Sequence, residues 1–333
     1  MARVFSGIQP SGELHIGNYL GAVRNWVALQ ERHECFFSIV DYHAITQSYE
    51  PAQLEAQTFD MAVGLLAAGI DPERCVLFVQ SHVPEHTELA WVLTTVTPLG
   101  ELERMTQFKD KSQLQESVPA GLLNYPVLQA ADILLYKADL VPVGQDQEQH
   151  LELVREIVRK WNRRFGADFF PEPQVHHTEA KRIVGLDGQA KMSKSLNNTI
   201  GILDDPERIW QLLRPAMTDP ARVRRIDPGD PAKCNVFSLH QYFSPADTVD
   251  HVADSCRGAK WGCLDCKRVL ADNIIAAFVP MRERAAELRA HPERVHEILR
   301  SGAERARAVA AETMAAVRAA MGLLPAEKVA LRR

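Results

Sequence analysis

Two polar segments far apart in the chain carry residue types suited to handling phosphate. The first, Gln9-Pro10-Ser11-Gly12-Glu13-Leu14-His15-Ile16-Gly17-Asn18, is a turn that runs from an apolar, strand-like stretch straight into a helical period. Backbone N–H groups at the opening of a helix, with the positive end of its dipole, favour an anion there. Gly17 lets a ligand approach the backbone closely, and His15 and Asn18 can donate hydrogen bonds. The second segment, Lys191-Met192-Ser193-Lys194-Ser195, follows Asp187-Gly188-Gln189 and makes a glycine-containing loop with two ammonium groups. Lysines at its first and fourth positions can clasp a triphosphate, because positioned cations stabilise the charge that develops on phosphates during transfer. Singly, the first is also readable as a polar turn with a helix cap, and the second as a solvated lysine-serine loop. Together they point to a nucleoside triphosphate.

Bringing two such segments to one ligand needs a rigid frame. The runs from Arg3 to Gln9, Cys35 to Asp41 and Cys75 to Gln80 are short and rich in Val, Ile, Phe and Cys, each followed by turn residues and then a helical period. The stretch from Ile16 to Leu29 places Ile16, Leu20, Val23 and Val27 on one face, and Pro51 opens a further helix that Gly69 can close. This alternation predicts an α/β fold, a doubly wound parallel (Rossmann-like) sheet with ligands at the carboxyl ends of its strands. Beyond about Ile200 the character changes, and Val269 to Met321, rich in Ala, Arg, Glu and Leu without a strand signal, reads as packed helices. The expected division is a catalytic domain over residues 1–190 and a smaller all-helical domain over residues 191–333 that includes the lysine loop.

At 333 residues, 46% hydrophobic and 24% charged, the chain has the composition of one large or two unequal globular domains. No stretch approaches the roughly 18 uninterrupted apolar residues of a membrane span, and the opening MARVFSGIQP lacks a signal pattern, so a cytoplasmic protein is expected. A formal charge of −5 excludes a wholesale basic surface. A nucleic-acid partner must then be held by local patches such as Arg222, Arg224 and Arg225, or Arg257, Lys260, Lys267 and Arg268, each equally readable as solvated surface. Cys35 and Cys75 sit in apolar runs, whereas Cys234, Cys256, Cys263 and Cys266 form a group separated by 21, 6 and 2 residues. Reduced cytoplasmic thiols in such a group suggest metal rather than disulfides, and four thiolates with one close pair suit tetrahedral zinc or a four-iron cluster. Free core-facing cysteines are the remaining alternative, at odds with the polar neighbours Ser255, Arg257, Lys260, Asp265 and Lys267. Trp261, set among them, suits either stacking on a base or covering the metal site.

His15-Ile16-Gly17-Asn18 followed by a complete KMSKS resembles the HIGH and KMSKS pair of class I aminoacyl-tRNA synthetases. Within that class, Phe5 to Gly12, the block Gly100 to Lys109, the block Tyr125 to Tyr136 and the block Val141 to His150 resemble the bacterial tryptophanyl-tRNA synthetases, over nearly the whole chain. The resemblance implies ATP-dependent activation of L-tryptophan, with Mg²⁺, and transfer to the 2′-hydroxyl of tRNA(Trp). It also implies a homodimer, a helical dimerisation insertion at about residues 84–130 and an anticodon-binding role for the helical part, whose last helix would pack back on the catalytic domain. His15, Asn18, Lys111, Lys191 and Lys194 would act on the phosphates. ATP would meet Gln9, Pro10, Ser11, Gly17, Gly144, Gln145, Asp146, Ile183, Met192, Ser193 and Ser195. The cysteine spacing resembles a subset of the family that carries a 4Fe-4S cluster, which implies iron–sulfur, with zinc as the alternative.

The side chain would be chosen on the block Tyr125-Pro126-Val127-Leu128-Gln129-Ala130-Ala131-Asp132, helical in period after Pro126, where Gln129 and Asp132 lie about one turn apart on one face. An indole offers one N–H donor and no acceptor, so a carboxylate in an apolar, aromatic-lined cavity is its natural partner, and Asp132 fits. The resemblance adds Phe5, Gly7, His43, Tyr125, Val143 and Gln147 to the pocket. A Tyr-x-x-x-Gln-x-x-Asp pattern also resembles tyrosyl-tRNA synthetases; Gly144 to His150 and the early phosphate signature are of the tryptophan type. A non-catalytic paralogue that binds tryptophan or RNA is the alternative of a different class, opposed by the intact His15, Asn18, Lys191 and Lys194. A nucleotidyltransferase acting on another small carboxylate is opposed by the helical second part.

Overall fold

Apolar side chains that alternate along the first strands are sorted onto the two faces of one sheet. In the computed structural model, which describes residues 1–113, 117–144, 147–177, 183–193 and 196–324, β1 (Arg3–Ile8), β2 (Glu34–Ile39), β3 (Val76–Val79), β4 (Leu140–Val143) and β5 (Gln174–His177) form a parallel sheet in the order β3-β2-β1-β4-β5. Val4, Cys35, Phe37, Ile39, Leu77 and Val79 enter one core, and Phe5, Phe36, Val76, Phe78 and Val141 enter the other. A period of two with both faces apolar is what a sheet covered on both sides requires. β1 runs in register with β2 from Arg3↔Glu34 to Ile8↔Ile39 and pairs on its other side with β4. The chain therefore changes direction across the sheet at β1, where a crevice opens beyond the carboxyl ends of the strands.

The helical stretch after β1 is three pieces: α1 (Ile16–Asn18), a π-helical turn over Tyr19–Val23, and α2 (Arg24–Leu29). Ile16, Leu20 and Val23 are buried as expected, but Trp26 takes the next core place, stacked on Phe37 at 4.7 Å, and Val27 is only partly buried beside it. After β2 come α3 (Asp41–Ala44) and α4 (Pro51–Ala67), which Gly69 follows with φ +111°. Between β3 and β4 lie α5 (Glu85–Thr94), α6 (Leu99–Glu103), α7 (Thr106–Ser112) and α8 (Ala120–Leu135). α8 starts six residues before Pro126, which sits inside it rather than at its head. α9 (Glu148–Phe165) bridges β4 and β5 and buries Leu151, Val154, Ile157, Val158 and Trp161.

From Pro206 on, every described element except a single 3-10 turn is an α-helix: α10 (Pro206–Leu213), α11 (Asn235–Phe243), α12 (Ala246–Arg257), α13 (Cys263–Ala290) and α14 (Pro292–Met321). α14 crosses from one core to the other, giving Val295 and Leu299 to the first and Ala303, Ala306, Ala310, Met314 and Val317 to the second. At the crossing, Gly302 lies against the backbone of the edge strand: a Cβ there would be 1.8 Å from the Leu77 carbonyl oxygen. No described helix is long and apolar enough to cross a membrane.

Candidate active site

A cavity of about 380 Å³ lies over the carboxyl ends of β1, β2 and β4. All eight residues expected around the amino acid line it: Phe5, Gly7, His43, Tyr125, Gln129, Asp132, Val143 and Gln147. Gln9, Asn18, Lys111 and Gly144, expected at the nucleotide, line it too. Thr46, Gln47 and Gln107 also face it and were not anticipated.

Asp132 is 1% exposed, and its carboxylate is held from three elements. His43 Nε2 is 2.7 Å from Oδ2, while Gln80 Nε2 at 2.7 Å and His86 Nδ1 at 2.6 Å both meet Oδ1. His86 Nε2 continues to the Tyr136 hydroxyl at 2.8 Å. Burial pushes the Asp132 carboxyl up, but the charge and hydrogen bonds of His43, joined by those of His86, outweigh it and hold the group well below the usual carboxylate range. Asp132 therefore stays ionised and acts only as an acceptor. Gln80, His86 and Tyr136 escaped the sequence reading. They come from the end of β3, from α5 and from the end of α8, and the one-turn spacing of Tyr136 from Asp132 is the sequence signal that ties one of them to this carboxylate.

Tyr125 spans the other wall, its hydroxyl 3.0 Å from Gln107 Oε1 and 2.8 Å from His150 Nε2; burial pushes its pKa up to about 12. The Lys111 ammonium sits 5.5 Å over the Tyr125 ring and is half-buried, which lowers its pKa by desolvation. A cation poorly hydrated in its own site has more to gain from an anionic ligand.

The first phosphate segment is paired through the backbone with the chain just beyond the lysine loop. Ile16 N donates to Ile200 O at 2.9 Å, Ile202 N to Leu14 O at 2.9 Å, and His15 bridges to Gly201. His15 and Asn18 cap the helix start reciprocally, Asn18 N donating to His15 Nδ1 at 3.3 Å and His15 N to Asn18 Oδ1 at 3.4 Å. The lysine loop is seated on this turn. Met192 is 3% exposed, and its Cβ lies 3.1 Å from where a Cβ on Gly17 would stand. Met192 N donates to Ile183 O, Val184 bridges to Lys191, and the buried Asn198 accepts from Ser193 N at 2.7 Å while donating to Asp187 Oδ2 at 2.8 Å. Met192 and Ile183 are thus packed as anchors, and Lys191 is exposed. Asn198, the staple of the loop, was not foreseen. Pro10 is buried and Ser11 exposed in the turn after β1. Gln145, Asp146, Lys194 and Ser195 lie outside the described residues.

The four grouped cysteines lie near enough to act on one another's charge. Burial first, then Cys234, Cys256 and Cys263, push the Cys266 thiol up to about 12. His240 Nε2 is 3.4 Å from Cys266 Sγ, and Arg222 Nη1 donates to Cys256 Sγ at 3.7 Å while Nη2 reaches Trp261 O at 2.5 Å. The Trp261 ring meets His251 edge-on at 4.8 Å. Among the described residues no three potential ligands come close enough to hold one metal ion. Two basic residues read as surface are otherwise engaged. Lys267 is 6% exposed and donates to Arg214 O at 2.8 Å, and Arg222 is bound to the cysteine group. Arg268 is exposed but lies 3.6 Å over the Trp210 ring.

A family model described as tRNA synthetases class I (W and Y) matches residues 1–279. The chain is 57% identical over 328 residues to a tryptophan–tRNA ligase of Deinococcus radiodurans, covering 97% of this chain and 99% of that one. It is 45% identical over 329 residues to a protein of the same name from Caldanaerobacter subterraneus, covering 97% and 99%. Among solved structures, tryptophanyl-tRNA synthetase from Campylobacter jejuni complexed with ADP and tryptophan matches with a TM-score of 0.89 at 39% identity, over 96% of this chain and all of that one. Tyrosyl-tRNA synthetase from Archaeoglobus fulgidus matches with a TM-score of 0.66 at 23% identity, over 85% and 90%, a likeness of fold alone.

Proposed function

We propose, from the premise that this chain belongs to the class I tRNA synthetases of the tryptophan and tyrosine family, that it is an enzyme that activates L-tryptophan with ATP and joins it to tRNA(Trp). The tryptophan carboxylate attacks the α-phosphorus in line, giving tryptophanyl-adenylate and pyrophosphate. The 2′-hydroxyl of the terminal tRNA adenosine then takes the acyl group and AMP leaves. No covalent enzyme intermediate is needed, so the protein's part is positioning and charge stabilisation. The observation that carries the choice of amino acid is Asp132, a buried ionised carboxylate in the wall of a mixed cavity that also presents Phe5, Tyr125, Ile133 and Val141, an acceptor suited to one indole N–H. Pyrophosphate exchange dependent on the amino acid tests it: Trp should support exchange far better than Tyr, and preference for Tyr, or no exchange with either, overturns it.

In this reading Gln9, Gly17, Asn18 and the backbone around Ser11 receive ATP with Gly144, Gln145 and Asp146. His15, Lys111, Lys191 and Lys194 act on the phosphates. Mg²⁺ would be held mainly by the substrate's own phosphate oxygens, as is usual for this ion, and the described residues offer no carboxylate cage for it. Cys234, Cys256, Cys263 and Cys266 would hold a 4Fe-4S cluster. The all-thiol donor set and the nearby Arg222 and Lys267 cations suit it, with zinc as the alternative for the same four thiols. It would serve structure or RNA positioning, since activation moves no electrons. Anaerobic purification with iron analysis and a visible spectrum tests this; a colourless, iron-free protein rejects it. Residues 1–190 would be the catalytic domain, carrying a dimerisation insertion at about residues 84–130, and residues 191–333 the anticodon-binding part. The exposed Trp91 and Leu99, 72% and 59% accessible within that insertion, support a homodimer, which light scattering tests.

A further inference from the structure

A carboxylate has about four acceptor positions, and those of Asp132 are unequally used. Gln80 and His86 fill both on Oδ1, whereas among the described residues Oδ2 has His43 alone. His43 lines the cavity; Gln80, His86 and Tyr136 do not. The side with the open position is therefore the ligand's side. Because an ionised carboxylate can only accept, His86 must present an N–H from Nδ1 to Asp132, while its Nε2 is tied to the Tyr136 hydroxyl. Tyr136 is itself wholly buried, stacked on Phe36 at 4.6 Å and Phe5 at 5.6 Å with Phe78 edge-on at 5.7 Å. The three strands β1, β2 and β3 thus hold a tyrosine that fixes the orientation of the histidine ring, and the histidine orients the carboxylate.

Building on the tryptophan reading above, we propose that His86, fixed by Tyr136 and seconded by Gln80, is a positioning residue for amino-acid specificity that leaves Asp132 with one acceptor position open to the cavity. One open position matches a side chain with one N–H and no acceptor. A phenol also donates, but its oxygen then needs a donor of its own, and the three donors at this carboxylate are committed.

The test uses the full-length enzyme and pyrophosphate exchange with L-tryptophan and with an analogue bearing sulfur in place of the indole N–H. The parent should prefer tryptophan by about 10⁴-fold, as for a site built around a buried hydrogen bond. His86→Phe should raise the KM for tryptophan about 10- to 100-fold with kcat within about threefold, and leave the analogue unaffected, so that the preference shrinks by the same factor. His86→Asn, which can present an N–H near the place of Nδ1, should recover most of it. Equal losses for both substrates, or no recovery with Asn, overturn the proposal. If His86→Phe does not fold, Tyr136→Phe carries the test. It keeps the ring stack and removes one O–H, so the preference should fall about 3- to 10-fold, and an unchanged preference overturns the proposal. A parent that does not distinguish the two substrates instead overturns Asp132 as the indole acceptor.

Discussion

Replacing Gly302 by Ala sets two effects of opposite sign against each other. An alanine in a helix interior is favoured over glycine by about 1 kcal/mol, because glycine gives up more backbone freedom on folding. The new methyl, however, would stand 1.8 Å from the Leu77 carbonyl oxygen and 2.8 Å from its carbon, where even a close carbon–oxygen contact needs about 3.3 Å. Both groups are backbone, so neither can swing aside, and α14 must lift from β3 by roughly 1.5 Å. A gap of even 0.5–1 Å forfeits about a quarter to a half of each dispersion contact. The buried Ala303 and Ala306 next to the lift would lose contacts, and Arg305 would be drawn from the Pro72 and Cys75 carbonyls it meets at 2.8 and 3.2 Å. Overpacking of this kind costs about 1–3 kcal/mol, and the two partly exposed hydrogen bonds add about 1. The clash wins by about 1–3 kcal/mol, which for a chain of this size, with an unfolding entropy of about 0.7 kcal/mol per kelvin, lowers the melting midpoint by about 1.5–4 °C. Scanning calorimetry against the parent measures it, with Ser301→Ala, exposed on the same helix turn, as the propensity control. A G302A protein melting at or above the parent, as S301A should, would refute the close packing of helix on strand.

Asp132→Asn should lower kcat/KM for tryptophan by about 10²- to 10³-fold, since an amide N–H then faces a donor. It should also destabilise the protein by about 2–4 kcal/mol. Because the folded-state carboxyl is depressed, this loss should be constant from pH 8 to about 4 and shrink as pH falls further; urea titrations across that range check the sign. Lys194→Ala should slow single-turnover adenylate formation by about 10²- to 10³-fold with little change in tryptophan affinity, and an unchanged rate removes its assigned role. Gly17→Ala would put a Cβ 3.0 Å from the His15 ring and 3.1 Å from the Met192 Cβ. It should displace the lysine loop and reduce kcat/KM for ATP about 10- to 100-fold while tryptophan binding without ATP, read by fluorescence, stays unchanged.

β1, β2 and β3 were legible because a strand buried on both faces must be apolar at every position, as in Cys35-Phe36-Phe37. β4 and β5 were not: one contains Pro142 and the other ends in His176 and His177, so pairing with a neighbouring strand, rather than local preference, makes them strands. Pro126 reads as a helix start, yet α8 continues through it. The eight positions expected around the amino acid followed from the resemblance and from the one-turn spacing of Gln129 and Asp132, and all eight line one cavity. Gln80, His86 and Asn198 remained hidden because their roles exist only where separate segments meet, and each is an unremarkable residue in its own neighbourhood. Lys267 misled in the opposite way. A lysine between charged residues reads as surface, but a single backbone carbonyl, that of Arg214, is enough to accept its ammonium inside.

The course of α14 bears on how the chain is made. The strand it shields is complete at Val79, but Gly302 is synthesised 223 residues later (302 − 79), which at about 5–20 residues per second is roughly 10–45 s. Through that interval the nascent sheet presents a naked apolar border to other ribosomes on the same message, and an open border of that kind templates pairing between chains. A protein stopped before Pro292 keeps the border for good and should precipitate as sheet-linked aggregates, so the terminal helix guards solubility during translation.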